Sequence, residues 1–333
     1  MRPLGLAIAL LSLATSVAGA QSDTDPRVDR WLERARQLLE RGRERPATAL
    51  LERVLDRTPS DPRLPATIAE GLPTDAASAA ALSDEECAAR AEWTLGLLGR
   101  VEPADTEANR ERARLEGWAR AVGGEHDAAL ALVSEAAGVH DEATAKMLRR
   151  LAALFVRRDQ LGQARRALML AIRAWSRDPE LVADLAAVEL ARGMAEDAVR
   201  LLRSELAHRP EHRLLREDFA GALLAAGRRA EAIRVWRALA DEVSEPGDER
   251  RMRRAAARAA LADERWETAR VEARRALGVD GTDGEARLLL GLALIGLERP
   301  EPARLALERA GAALGADDLR VQRALAALEG AQR

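Results

Sequence analysis

His208 and His212 have three residues between them, a spacing at which one helix face could offer two imidazoles to a metal ion. Pro210 lies between the two and breaks the helical geometry the spacing relies on, so a pair of surface histidines at a turn is the better reading. His126 and His140, the other two histidines, fall in separate turn regions. Cys87 is the only cysteine, which excludes an internal disulfide. Asp84, Glu85 and Glu86 before it are the opposite of the basic surroundings that make a thiolate nucleophile. It reads as a small apolar residue inside a helix, with an intermolecular disulfide as the alternative. The sequence contains no Gly-rich phosphate loop, no Gly-x-Ser-x-Gly elbow and no Cys–His nucleophile arrangement. Carboxylates are numerous, but many stand three residues from an arginine, as Glu33 does from Arg36 and Glu267 from Arg270, which reads as ion pairing on solvated helix faces. The expectation is therefore of no catalytic, cofactor-binding or metal-ligating residue, no cofactor, and no enzyme.

Charge gives no sign of a nucleic-acid partner. Lys and Arg total 52 against 55 Asp and Glu, for a formal charge of −3, so no basic excess is present to neutralise phosphates. Lys146 is the only lysine, Asn109 the only asparagine, and tyrosine is absent. Residue types with AT-rich codons are scarce throughout, so the arginine abundance points to a GC-rich bacterial genome rather than to a binding surface.

The elements that must carry any site are helical. Ala164, Ala198, Ala232, Ala269 and Ala303 are spaced by 34, 34, 37 and 34 residues, each early in a helical pattern that follows a turn signal. Four residues on stand Leu168, Leu202, Trp236, Ala273 and Leu307, so in most copies a small contact point sits one helical turn from a large one. A period in this range marks a stacked-repeat solenoid. Counting back from each alanine gives the pairs Leu151-Ala152, Leu185-Ala186, Phe219-Ala220, Ala256-Ala257 and Leu290-Gly291, each with a small residue where two helices must approach closely.

This phasing resembles the tetratricopeptide repeat (TPR) family over residues ~145 to 317. The family's proline after the second helix is matched at Pro210 and, three residues late, at Pro179. Its tryptophan near the start of the first helix is replaced by Arg216, Arg253 and Arg287, with Met147, Leu181, Leu215 and Met252 apolar one residue earlier. The resemblance implies an all-α fold, an α-α superhelix of helical hairpins in which first helices line a concave groove that binds a protein or peptide. Carried over position by position, the groove residues are Lys146, Arg149, Val156, Leu190, Leu224, Arg251, Arg254, Arg258, Leu261 and Ile295. Val156, Leu190, Leu224, Leu261 and Ile295 form an unbroken aliphatic line, and Arg251, Arg254 and Arg258 share one helix face. Such a groove suits a peptide with aliphatic anchors and acidic residues. The same aliphatic line is also what packing between neighbouring first helices would produce, with Arg251 and Arg254 paired to Glu217 and Glu285 of adjoining repeats.

Three domains are expected. Residues 1–20 read as a secretory signal peptide: Arg2, an uncharged run, and Ala18-Gly19-Ala20 before Gln21. The apolar portion from Leu4 to Val17 is shorter than the ~20 residues a spanning helix needs. Cleavage after Ala20 would leave a periplasmic or secreted chain without stable membrane insertion. Residues 21–140 read as a helical region with degenerate repeats: a hairpin over 28–58, a Pro/Ala-rich linker at about 59–82 with one or two short helices, a helix from Ser83 to about Gly99, and helices at about 105–122 and 125–138. Residues 141–333 read as the repeat array, ending in a cap helix from Asp317 to about Leu328. The expected function is a non-enzymatic interaction scaffold or adaptor of the bacterial cell envelope. The alternative is an envelope enzyme acting on peptidoglycan or glycan, with a site in the irregular segment 59–105.

Overall fold

The computed structural model describes residues 25–138, 140–315 and 317–331; the expected signal peptide lies outside them. Among the described residues there are eighteen α-helices and no strand: α1 (Pro26–Leu39), α2 (Glu44–Arg57), α3 (Leu64–Ala69), α4 (Ala76–Ala80), α5 (Asp84–Leu98), α6 (Thr106–Val122), α7 (His126–Glu135), α8 (Glu142–Arg157), α9 (Leu161–Ala174), α10 (Pro179–Ala191), α11 (Ala195–His208), α12 (Arg213–Ala225), α13 (Arg229–Glu242), α14 (Pro246–Ala262), α15 (Trp266–Val279), α16 (Gly284–Gly296), α17 (Pro300–Leu314) and α18 (Leu319–Ala331). The chain divides into two compact units, residues up to 74 with 84–124, and residues 75–83 with 125 onward.

The first unit is built on the α1–α2 hairpin. Val28, Leu32, Ala35 and Leu38 repeat at helical spacing and meet Ala47, Leu51, Val54 and Leu55 in one buried cluster. Leu64 and Ile68 of α3, together with Leu97 and Leu98 of α5, enter the same cluster, so the proline-punctuated stretch after Pro59 contributes core rather than only spacing. Trp118 of α6 is fully buried, and its indole N–H donates to the Pro73 carbonyl at 3.0 Å, which satisfies the one polar atom that burial would otherwise orphan. Cys87 is buried, as a small apolar residue would be.

The second unit is an array of hairpins, and one local device makes each turn. At the end of every first helix from α8 to α16 a single residue adopts positive φ: Asp159 (58°), Gly193 (79°), Gly227 (75°), Glu264 (54°) and Glu298 (55°). The next amide reaches back five residues to a helix carbonyl, as from Gln160 to Phe155 at 2.7 Å and from Arg228 to Leu223 at 2.8 Å. This is a Schellman closure, which satisfies the orphan carbonyls and aims the chain into the antiparallel second helix. The turn residues keep the same intervals as the marker alanines, since both are fixed by one repeat length. Four of the five first helices begin on side-chain caps: Asp141 accepts from the Thr144 amide, Asp178 from Glu180, His212 from Leu215 and Asp283 from Ala286, while α14 starts on Pro246 without one.

The marker alanines Ala164, Ala198, Ala232, Ala269 and Ala303 are all completely buried. Their small partners on the first helices, Ala152, Ala186, Ala220 and Ala257, are buried as well. At Gly291 a Cβ would lie 2.6 Å from Leu307 Cγ, so that crossing leaves no room for even a methyl group. α18 closes the array with Val321, Ala324 and Leu328 against α16 and α17 and turns Gln322, Arg323 and Glu329 to solvent, as a cap must.

Candidate interaction surface

Successive first helices approach one another, as α10 does α12 and α14 does α16, while successive second helices stand further apart. First helices therefore form the inner face of the array. On it, Val156, Leu190, Leu224, Leu261 and Ile295 are all partly buried, and the last four pack against the buried clusters of the array. The packing between neighbouring repeats accounts for their burial, and part of each side chain is left accessible.

The cations on this face are not bare. Arg251 donates to Glu217 at 2.6 Å and to Asp248 at 3.0 Å, and hydrogen bonding to Glu217 raises its pKa against the opposing effect of burial. Glu217 is buried and also receives Arg213 from its own helix at 3.1 Å. Arg258 donates to Glu285 at 2.9 Å, and Glu285 also pairs with Arg320 of the cap helix at 2.6 Å. Burial alone would raise the Glu285 pKa; the two guanidiniums bring it below the usual carboxylate range instead. Arg254 goes to Asp283 at 3.3 Å rather than to Glu285, because the N-cap carboxylate of α16 lies closer to its fork. Arg149 reaches across to α10, donating to Asp184 at 2.6 Å and Glu180 at 2.8 Å, and Lys146 pairs with Glu142 at 2.8 Å. The inner face is thus laced by ion pairs that run from one repeat to the next, a partnership that only the Arg251–Glu217 spacing signalled in the sequence.

Elsewhere, several polar groups pair with one another or cap helices. Arg36 reaches Glu40 at 3.5 Å and Glu70 at 3.1 Å rather than the expected Glu33, which accepts from Gln37. Arg270 does pair with Glu267. Within 59–105, Asp61 pairs with Arg63 at 2.7 Å, Asp75 caps α4 and Asp105 caps α6. His212 is the N-cap of α12, and His208 ends α11, beyond Pro210. Among the described residues no group of three His, Cys, Asp or Glu side chains is placed to hold a metal, and no helix is long and apolar enough to cross a membrane. On the outer face, a shallow depression between α9 and α11 is lined by Arg165, Met169, Leu185 and Glu189, with Met169 46% exposed.

Period, Schellman turns and small-on-small helix crossings are now all in hand. The repeats of the second unit are tetratricopeptide-like. No protein-family model matches the chain, and no curated protein matches it by sequence. Among solved structures, MamA from Desulfovibrio magneticus RS-1 is similar over 52% of this chain and 97% of its own, at 20% identity and a TM-score of 0.46. YrrB, described as a TPR protein with an unusual peptide-binding site, matches 54% of this chain and 91% of its own at 16% identity and a TM-score of 0.45. The C-terminal part of a TPR repeat-containing protein from Cytophaga hutchinsonii matches 88% and 99%, at 13% identity and a TM-score of 0.46.

Proposed function

We propose that this chain is a non-enzymatic protein–protein interaction scaffold of the bacterial cell envelope, exported by residues 1–20 and binding a partner protein or peptide on the inner face of its TPR-like array. The observation that carries the reading is the partly buried aliphatic line from Val156 to Ile295, none of whose side chains is fully enclosed. Five aliphatic side chains held in register on successive helices, each with part of its surface accessible, offer a preformed surface for an extended or helical segment. The ion pairs around them lock the helices in place, so little ordering cost remains for binding. Export is supported by the Arg2 start, the uncharged run and the Ala18-Gly19-Ala20 end of the leader.

Pull-down from an envelope extract, with the chain and with a Leu224→Glu variant in parallel, tests the reading. The expected result is a stoichiometric protein partner that the variant loses while its circular dichroism is unchanged. A partner held equally by both proteins, or a trapped glycan turned over on incubation, would overturn it. Mass spectrometry of the chain from its native host should find it beginning at or near Gln21; a chain still starting at Met1 would remove the envelope assignment.

A further inference from the structure

The inner face changes character along the array. On α14 three cations each meet a carboxylate of a neighbouring repeat, Arg251 with Glu217, Arg254 with Asp283 and Arg258 with Glu285, and each of those carboxylates also receives a second arginine: Arg213, Arg250 and Arg320 in turn. At the start of the array the balance is different. One guanidinium, Arg149, serves Asp178 at 4.0 Å, Glu180 at 2.8 Å and Asp184 at 2.6 Å, while Lys146, the other cation of α8 on this face, is engaged by Glu142. Within these ion pairs, four carboxylates thus share two cations. Burial and the neighbouring Glu180 and Asp178 push the Asp184 pKa up although Arg149 pulls it down, as expected where carboxylates outnumber the cation they share.

Beside this acidic rim the side chains are small. One helical turn and more along from Arg149, the face-lining positions of α8, α10 and α12 are Ala153, Ala187 and Gly221, where α14 and α16 place Arg258 and Leu292. A Cβ at Gly221 would meet nothing within 4 Å, so the glycine opens space rather than permitting a close helix crossing. Val156, Leu190 and Leu224 follow these small residues by one turn on the same helices, and Leu214, 43% exposed, stands at the start of α12. An exposed leucine among small side chains, near carboxylates that outnumber the cations they pair with, has the chemistry of one side of an interface.

We infer that the α8–α12 part of the inner face holds a segment of a partner protein that presents aliphatic side chains to Leu190, Leu214 and Leu224 and a lysine or arginine to Asp178, Glu180 and Asp184. This rests on the scaffold reading and reverses the charge of the partner that the arginines alone suggested. Those arginines are neutralised in place, and at the start of the array the carboxylates outnumber the cations they pair with.

Selection of a displayed library of random short peptides on the chain tests it. Enriched peptides should combine aliphatic residues with Lys or Arg. Their affinity should drop roughly three- to tenfold on Asp178→Asn with Glu180→Gln, two exposed charges lost while the asparagine still caps α10. It should drop equally when the peptide's own basic residue is replaced by glutamine, a change that leaves the protein untouched, and should fall as salt rises. Binding should disappear with Leu224→Glu. Acidic or uncharged peptides that still depend on Leu224 would overturn the basic partner and leave the groove standing. Peptides indifferent to Leu224→Glu, or no enrichment, would overturn both.

Discussion

At the scale of single residues, two kinds of position carry the array: those where helices touch and those where the chain reverses. Ala198 and Ala232 have no accessible surface, and each lies at a crossing whose facing residue is also small. Replacing either by leucine adds three carbons where the backbones cannot separate without breaking other contacts, and should cost about 1–3 kcal/mol in urea unfolding. Unchanged stability in both variants would mean the helices are not held at these points. The turns make the opposite prediction. Glu298 sits at φ 55°, where its Cβ crowds the following carbonyl, while Gly227 holds the equivalent place in another repeat at φ 75° with open space where a side chain would go. Left-handed strain outweighs the extra unfolded-state entropy of glycine, so Glu298→Gly should gain about 0.5–1 kcal/mol and Gly227→Ala should lose a comparable amount. The two measured in one denaturation series would reveal a turn whose conformation changes on substitution, because the signs would then fail to oppose.

At the scale of elements, polar groups buried between helices specify how successive repeats dock. Glu272 of α15 is completely buried and receives Arg253 of α14 at 3.1 Å, Arg237 of α13 at 3.0 Å and Arg275 of its own helix at 3.4 Å. Arg253 is itself buried and also reaches Asp241 at 2.6 Å and Glu249 at 3.3 Å. Burial opposes the charge on Arg253, yet Asp241 and Glu272 more than offset it and hold its pKa above the ordinary arginine value. Glu272→Ala leaves guanidiniums in a dry site, and because Arg253 keeps two other carboxylates the loss should fall near the lower end of the ~3–5 kcal/mol typical of a broken buried pair. Arg253→Met with Glu272→Leu should recover most of it; a double variant no better than the single one would show that the network, rather than its volume, holds the junction. Such networks mark the limit of what the sequence discloses. Helices and their phase were legible because period, glycine turns and capping residues are local, and α1, α2, α5, α6 and α7 lie within a few residues of where those signals put them. Charge partners were not, because reach and rotamer decide them across a tertiary gap: Arg254 prefers the N-cap Asp283, and Arg36 finds Glu70 on α3. Asp159, Glu264 and Glu298 hid their turns by filling places that glycine announces elsewhere. The acidic rim escaped notice because Glu180 and Asp184 gain their meaning only from sharing one arginine on the preceding first helix.

At the scale of the whole molecule, stability in a repeat array is close to a sum of hairpin and interface contributions, so the ends govern how unfolding begins. α18 is the last helix of the second unit and covers Leu307 and Ala310 through Val321 and Ala324, and Leu294 and Ala306 through Leu328. Its Arg320 also bonds Glu285 of α16, which ties the cap to the inner-face ladder through Arg258 of α14. Removing residues 317–333 would uncover that apolar surface on α16 and α17 and cut the ladder at its last rung, while the packing of α8 to α12 would keep every neighbour it has. Hydrogen exchange on the truncated chain should therefore show protection lost first in α16 and α17, less in α14 and α15, and least in α8 to α12, with a raised tendency to self-associate through the bared face. A uniform fall in protection across all these helices would show instead that the array unfolds as one cooperative block. Long-range cooperativity of that kind would also change how a partner acts: a segment docked on α8–α12 would then stabilise the distant cap as strongly as the helices it touches, whereas in a nearest-neighbour array its effect should fade within a repeat or two.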